Sequence, residues 1–253
     1  MTQPGISDAA RQTAEHHITE HVEGEAARIE KLSRVRELIL GFQDGLLVPL
    51  GVVSGMAAAH PARSVIMVAG LAEAVAGSIA MGGGAYLASE AEERLYHSEI
   101  ESERQEIIEE PERETAELAL ILEREGLERP MAEQVALGLA SHPEVFLRTK
   151  VQKELNLSPD VGGAAFGDAM VVGGSYAVAA VVPLWPYATL PLGTTALVVS
   201  ILCTLVALFI LGVVKARVAS QKWWFGGFQV MVIGGASAGV GYLIGHLITA
   251  LAG

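Results

Sequence analysis

Two acidic residues lie inside stretches of the chain that are otherwise apolar enough to cross a membrane. Asp44 lies within residues 38–56, and Glu73 lies within residues 65–81. A carboxylate in hydrocarbon is costly, so it usually faces the interior of a helix bundle or a water-filled path and pairs with another group there. Two such residues on consecutive spans predict a route for cations. The alternative is a pair of structural carboxylates that are neutralised by, or hydrogen-bonded to, a neighbouring helix.

A second group of carboxylates lies in the polar, acidic segment 90–160. Glu103 and Glu106 are three residues apart and share a helix face, and Glu114 and Glu117 repeat that spacing farther along. If the two helices pack side by side, four carboxylates converge, and oxygen-rich clusters suit Fe²⁺, Mn²⁺ or Mg²⁺. The alternative is a solvated helix face, because glutamates at this spacing are common in any acidic helix.

The N-terminal tail contains a third candidate site. His17 and His21 are four residues apart, so on a helix they face the same way and can share a metal ion. The same histidines can also be chance members of a flexible amphipathic leader.

The composition restricts the class of protein. The 253 residues are 51% hydrophobic with a net charge of -12, and the mean hydropathy is +0.41. The negative charge argues against nucleic acid as a partner, since phosphate binding needs basic patches. The single cysteine, Cys203, excludes an intramolecular disulfide and a cysteine-based zinc cage. The chain has no nucleophile elbow, HExxH or phosphate-binding glycine loop, so we do not expect an enzyme.

Five apolar stretches reach the roughly 20 residues that a membrane-spanning helix needs. We expect an all-α membrane protein with five transmembrane helices and a cytoplasmic helical metal-binding domain between helices two and three. The predicted loop between the third and fourth spans is Pro183–Tyr187. The predicted spans are 38–59, 65–88, 161–183, 189–213 and 225–250.

The polar segment between spans two and three predicts a set of short helices. Strong helix formers run from Ser98 to Glu110, and Pro111 interrupts them. Further helices are predicted at 112–125, 131–140 and 143–155. The expected domains are a cytoplasmic tail, the first two spans, the metal-binding domain and the last three spans. Their residues are 1–37, 38–89, 90–160 and 161–253.

Basic residues predict the orientation in the membrane. Basic residues precede span one, follow span two and precede span three, and others lie between spans four and five. With five spans, all of these positions fall on one side of the membrane. This distribution places the N-terminus in the cytoplasm and the C-terminus outside. The odd number of spans favours a homodimer that builds a path on its shared axis. The lack of a eukaryotic-looking targeting segment and the alanine- and glycine-rich composition favour a bacterial plasma membrane.

Several segments resemble the vacuolar iron transporter family. Gln43–Pro49 resembles the Asp-Gly-Leu-x-Val-Pro signature of that family's first span, and the resemblance extends from about His16 onward. The other segments that carry it, in chain order, are Glu73–Ala88, Glu103–Ile107, Pro111–Leu118, Glu154–Leu157, Ser175–Tyr176 and Val182–Tyr187.

The resemblance implies transport of Fe²⁺ out of the cytoplasm by a homodimer, in exchange for protons. It implies a path that uses Asp44, Glu73 and Met81. It also implies that the cytoplasmic domain collects metal through a set of glutamates. These are Glu103, Glu106, Glu114, Glu117 and Glu154.

The chain departs from this family in its last metal-binding segment. Plant members have two methionines shortly before the last of the metal-binding glutamates, whereas this chain has Lys150 and Val151 there. Loss of the soft thioether ligands is expected to relax the preference for Fe²⁺ over Mn²⁺, because oxygen-only sites suit manganese. Asp168, in the third span, matches no motif of the family.

A competing hypothesis is a non-transporting membrane protein whose acidic helices bind a basic partner. Asp44 and Glu73 argue for transport, because a membrane anchor has no need of carboxylates at membrane depth.

Overall fold

The computed structural model describes residues 7–59, 62–154, 165–219 and 221–252. For residues 8–33 it describes the course of the backbone. Within these ranges the chain forms eight helices and no strand. They are α1 (Asp8–Ala58), α2 (Arg63–Glu109), α3 (Pro111–Arg124), α4 (Arg129–Ala140), α5 (Pro143–Glu154), α6 (Ala165–Thr189), α7 (Thr194–Val218) and α8 (Trp223–Ala252).

Five helices are long and apolar enough to cross a membrane, which confirms the predicted all-α fold. They contain the segments Arg34–Ala58, Arg63–Glu109, Ala165–Thr189, Thr194–Val218 and Trp223–Leu251. The chain divides into two compact units. The first comprises residues 1–85 and 167–253, and the second comprises residues 86–166. Helix α2 contributes residues to both.

The prediction of a loop at Pro183–Tyr187, between spans three and four, is wrong. Pro183–Tyr187 lies in the last turns of α6, and the connection to α7 follows, with Gly193 at a φ of 108°. A proline keeps a helical φ, but it removes one hydrogen bond and its ring crowds the carbonyl one turn earlier. Burial of Leu184 and Tyr187 in a core with residues of α1, α2 and α7 offsets that loss. Residues 161–164, the predicted start of span three, lie outside the described residues.

Arg63 at the start of α2 secures this end of α6. Its guanidinium donates hydrogen bonds to the carbonyls of Ala188, at 2.9 Å, and Leu190, at 2.7 Å. The last carbonyls of a helix have no partner within the helix, so an external donor stabilises the end. The helix can therefore continue past both of its prolines.

Glycines bring the helices of the first unit into backbone contact. A Cβ atom on Gly241 of α8 would lie 2.3 Å from the carbonyl oxygen of Gly51 in α1. A Cβ atom on Gly245 would lie 2.0 Å from the carbonyl oxygen of Gly55. Small residues permit this close approach of apolar helices. A larger residue at either position would force α1 and α8 apart.

The short helices of the second unit follow the prediction closely. Each of α3, α4 and α5 has a proline at its first or second position, where the missing N–H costs no helical hydrogen bond. Gly126, just beyond the end of α3, adopts a φ of 111°, which favours glycine. The first helix of the predicted set is a continuation of α2 to Glu109, without a break after the membrane-spanning part.

The core of the second unit forms from one face of each short helix. Leu118 and Leu122 of α3 pack with Ala132 and Ala136 of α4 and with Phe146 of α5. Residues four apart lie on one side of a helix, so these apolar positions form a stripe. The stripe of α3 continues back by one turn to a buried glutamate, Glu114.

Candidate metal sites

Tyr176 of α6 connects the two helices that carry the predicted path residues. Its side chain is 2% exposed. Its hydroxyl donates a hydrogen bond to Oε1 of Glu73 on α2. On its other side, its backbone packs against Gly45 of α1, where an added Cβ atom would lie 2.3 Å from the Tyr176 carbonyl oxygen. Tyr176 therefore fixes Glu73 from the bundle interior.

Gly77 makes the contact between Tyr176 and Glu73 possible. It lies one turn after Glu73, and an added Cβ atom there would lie 2.3 Å from the Tyr176 hydroxyl oxygen. Any other residue would occupy the space that the hydroxyl needs. The glycine is therefore part of the Glu73 site.

Asp44 directly precedes Gly45 and is half-buried, as is Glu73. Its carboxylate is close enough to interact electrostatically with the Tyr176 hydroxyl. The second carboxylate oxygen of Glu73 is buried, and no donor in the described part of the chain contacts it. A buried acceptor without a donor is costly and is suited to receive a proton or a cation.

Met81 lies eight residues after Glu73 on α2 and is half-buried. The helix near it is held against α6 by a hydrogen bond of 2.8 Å from the Ser78 hydroxyl to the carbonyl of Gly173. Gly82 also meets Gly173, whose Cα atom would lie 3.3 Å from an added Cβ atom. Met81 therefore belongs to a closely packed stretch of α2.

In the second unit, four of the predicted glutamates surround one lysine. We call this group the Lys150 cluster, and its members are Lys150, Glu103, Glu114, Glu117 and Glu154. The Lys150 Nζ atom lies 2.6 Å from Glu154 Oε2, 2.7 Å from Glu114 Oε2, 3.1 Å from Glu117 Oε2 and 3.3 Å from Glu103 Oε1. One carboxylate oxygen each from Glu103, Glu114 and Glu154 lies within 4.8 Å of the others.

The helix faces explain why these charges turn inward. Lys150 lies one turn after Phe146, a core residue of α5, and Glu114 lies one turn before Leu118 of α3. Each charged group therefore extends an apolar stripe at one end. Lys150 is fully buried and Glu114 is 1% exposed. Buried charges must be paired, and here the chain supplies both signs.

Lys150 and Glu114 hold each other ionised, whereas burial raises the pKa of the Glu103 carboxyl. Burial disfavours the charged form of Lys150, but contacts with Glu114, Glu154 and Glu117 outweigh it and raise the pKa of the ammonium. Burial likewise disfavours the Glu114 carboxylate, but Lys150 and Arg113 outweigh it and lower the pKa of Glu114. The Arg113 guanidinium donates to Glu114 Oε1 from Nε, at 3.1 Å, and from Nη2, at 2.9 Å.

Glu106 lies apart from the Lys150 cluster. It is exposed and pairs with Arg113 at 3.0 Å. The two residues lie about 60° apart around the helix axis, and the edge of the buried face falls between them, so Glu103 is buried while Glu106 faces solvent. The two histidines of the predicted third site, His17 and His21, fall within α1, but their side chains lie outside the described residues.

The sequence pattern of the VIT family matches residues 35–246. The chain belongs to the VIT family. It is 35% identical to vacuolar iron transporter 1 of Tulipa gesneriana over 214 residues, which cover 85% of this chain and 87% of the relative. It is 32% identical to vacuolar iron transporter 1 of Arabidopsis thaliana over 248 residues, which cover 98% and 96%. Protein CCC1 of Saccharomyces cerevisiae is 27% identical over 223 residues, which cover 85% and 69%.

Membership in the VIT family confirms the resemblance found in the sequence. The resemblance covered Tyr176 only as part of a motif, and residue spacing gave no sign of its contact with Glu73, 103 positions away. Lys150 was noted only as a departure from the family pattern. Its role as the centre of four glutamates depends on the packing of α2, α3 and α5 in this VIT protein.

Proposed function

We propose that this protein transports Fe²⁺, and also Mn²⁺, out of the cytoplasm in exchange for protons. The observation that carries the proposal is the Glu73 carboxylate. It lies in a membrane-spanning helix, receives the Tyr176 hydroxyl on one oxygen and has a buried second oxygen without a donor among the described residues. Relatives of the chain that are named iron transporters support iron as the cargo.

The proposed path uses Asp44, Glu73 and Met81. A divalent cation that enters the bilayer region loses water, and carboxylate oxygens replace that water. Met81 adds a thioether, a soft ligand that favours Fe²⁺ over harder ions. Tyr176 touches no cargo in this scheme, but it holds one oxygen of Glu73 and leaves the other available.

Proton exchange follows from competition for the same oxygens. A carboxylate in a water-poor site binds a proton strongly when no cation is near. An arriving Fe²⁺ or Mn²⁺ displaces that proton, and release of the metal on the other side allows the proton to return. Alternation between the two states couples the two fluxes.

We propose that the N-terminus and residues 90–160 face the cytoplasm, because the basic residues concentrate on that side. In a bacterial plasma membrane, outward movement of metal would be efflux and would lower the cytoplasmic concentration of iron and manganese.

We further propose that two copies of the chain form the working unit. The exposed small residues Ala76 and Ala80 lie on the same side of α2 as Glu73, three and seven residues after it. A second copy on this face would place its Glu73 near the first, which would double the number of carboxylates along the path. Light scattering in detergent is expected to give the mass of a dimer, and a monomer mass would contradict this arrangement.

In the second unit, we propose that Glu103, Glu114, Glu117 and Glu154 receive metal before transport. The oxygens of three of these residues already lie within 4.8 Å of one another. Glu106, exposed beside Arg113, would attract cations to this surface. Carboxylate oxygens without sulfur ligands suit Mn²⁺ as well as Fe²⁺.

Metal flux into proteoliposomes tests the proposed function. Wild-type protein is expected to move Fe²⁺ and Mn²⁺, and Asp44→Asn or Glu73→Gln is expected to abolish both fluxes while the protein still assembles. Glu133→Gln is the matched control, because Glu133 is exposed on α4 and pairs only with Arg129 among the contacts described. Wild-type flux in either path variant would refute the assignment.

A further inference from the structure

We infer that Lys150 is a built-in competitor for metal, which occupies the carboxylate cluster until a divalent ion displaces it. The inference rests on the proposed function, in which the cluster receives metal. It adds that the affinity of this step is determined by a lysine of the same chain.

The geometry places the ammonium where a metal ion would bind. Lys150 Nζ makes contacts of 2.6–3.3 Å with four carboxylates that come from α2, α3 and α5. Small divalent cations bind oxygen at about 2.0–2.1 Å. The ammonium and a metal ion therefore cannot share the space between these oxygens. For the glutamate oxygens to move in to the shorter distance that a metal ion needs, the Lys150 ammonium must leave the space between them.

The ammonium also neutralises part of the negative charge of the cluster. Lys150 and Glu114 are almost completely buried, and removal of one partner from a buried ion pair strongly destabilises a fold. With Lys150 in place, the buried Glu114 has an ammonium partner without any metal. A metal must therefore compete with a charge that is covalently tethered and always present, which weakens its apparent affinity.

A route for the exchange lies beside the cluster. A surface cavity of about 580 Å³ is lined by Glu117 and Glu154 together with Arg124, Glu125 and Lys153. Glu117 and Glu154 are the two members of the cluster with substantial exposure, at 42% and 38% of the side chain. A cation can reach these carboxylates from solvent first. The flexible lysine side chain can withdraw as the ion moves inward.

The test compares Mn²⁺ binding by variants of the full-length protein. The background carries Asp44→Asn and Glu73→Gln, so that the proposed path does not contribute to binding. Lys150→Met removes the charge and keeps an unbranched side chain of similar length, and its soft thioether is a poor ligand for Mn²⁺, which prefers oxygen. Lys153→Met removes the same charge from the same helix, at a half-exposed pair with Glu125, and is the matched control.

Calorimetry is expected to show that Lys150→Met binds Mn²⁺ at least tenfold more tightly than the background protein, while Lys153→Met stays within about threefold. Equal affinity in the Lys150→Met variant and its background, or no binding in either, would overturn the inference.

Lys150→Met leaves four carboxylates without their ammonium, so the metal-free variant is expected to be less stable. Thermal unfolding with and without Mn²⁺ is the second measurement. Mn²⁺ is expected to raise the midpoint of Lys150→Met by several degrees and the midpoint of the background protein by much less. If Lys150→Met cannot be purified, Lys150→Gln replaces it, because its amide still donates hydrogen bonds to the carboxylates. Equal shifts in variant and background would overturn the inference.

The competitor role of Lys150 and the proposed transport can be refuted independently. Loss of the difference in binding, with proton-coupled flux intact in wild-type liposomes, refutes the competitor role alone. Absence of flux in wild-type liposomes, with the difference in binding intact, refutes the proposed transport alone.

Discussion

Lys150 Nζ lies 2.7 Å from Glu114 Oε2, and both side chains are almost completely removed from solvent. The pair joins α5 to α3 in the interior of the second unit. Buried ion pairs are sensitive to loss of either partner, because the remaining charge has no water to solvate it. The stability of this unit therefore depends on Glu114, which the sequence predicted as a metal ligand, and on Lys150, which it did not.

Glu114→Gln is expected to destabilise the protein more than Glu106→Gln. The first change leaves the buried Lys150 with three carboxylates and weakens a buried pair, at a cost of roughly 1–3 kcal/mol. The second removes an exposed pair with Arg113, and such pairs contribute less than about 1 kcal/mol. Thermal unfolding followed by circular dichroism measures the difference. Equal effects of the two substitutions would show that burial of the Glu114 pair contributes nothing.

The stability of wild type and of Lys150→Met is expected to depend on pH with opposite signs. The pKa of Glu114 is lowered from its usual 4.5. Its contribution is therefore complete above that value and is lost as the pH falls through the lowered pKa. The raised pKa of Lys150 leaves its contribution complete throughout the acid range. Burial raises the pKa of Glu103, so protonation of that residue begins above 4.5 and does not add to the loss. The unfolding midpoint of wild type is thus expected to fall below about pH 4.5, as Glu114 is protonated.

In Lys150→Met the carboxylates repel one another, so protonation relieves the repulsion and the midpoint is expected to rise between about pH 7 and pH 5. Unfolding midpoints at a series of pH values test both signs. A decline of equal size in the two proteins would contradict the role given to the ammonium.

Tyr176→Phe is expected to impair transport without loss of the fold. The phenyl ring fills the same space, but Glu73 loses the hydroxyl that orients it. A hydrogen bond of this kind is worth roughly 1 kcal/mol, which corresponds to an increase of about fivefold in the KM for Fe²⁺ or Mn²⁺. Initial rates in proteoliposomes measure this change. Tyr187→Phe is the control, since its hydroxyl lies 3.5 Å from the carbonyl of Val53 and touches no carboxylate. A wild-type KM in Tyr176→Phe would exclude a positioning role.

Gly45→Ala is expected to separate α1 from α6 and to displace Tyr176. The added Cβ atom would meet backbone atoms of Tyr176 at 2.3–2.9 Å, and a backbone cannot turn aside as a side chain can. The cost is roughly 1–3 kcal/mol, as for other overpacked interiors. The unfolding midpoint and the metal flux are both expected to fall. Gly235→Ala is the control, because an added Cβ atom there meets nothing within 4 Å. Equal behaviour of the two variants would contradict the close approach at Gly45.

The sequence predicted the ends of a helix well where residues at those ends determine them. Pro111 and Gly126 mark the limits of α3, and the chain follows these signals because φ restriction acts within a residue or two. Pro183 and Pro186 were misinterpreted for the opposite reason. Their helix is maintained by the distant side chain of Arg63 and by the burial of Tyr187.

The candidate sites also combine features that nearby residues determine with features that distant contacts determine. Glutamate spacing grouped Glu103 with Glu106, but the fold keeps Glu103 inside and leaves Glu106 with Arg113 in solvent. The partner that decides the electrostatics of the cluster is Lys150, which is 36 residues from Glu114 in the chain. Contacts at such separations depend on how helices pack, and periodicity within one helix does not contain that information.

The most direct test of the central claim is simultaneous measurement of metal and proton movement in one population of proteoliposomes. A trapped pH indicator and a metal-sensitive dye would follow both after a gradient of Fe²⁺ or Mn²⁺ is imposed. We predict that metal entry is accompanied by proton exit in wild type, and that both are absent in Glu73→Gln. Metal entry without proton exit in wild type, or unchanged entry in Glu73→Gln, would contradict a proton-coupled path through this carboxylate.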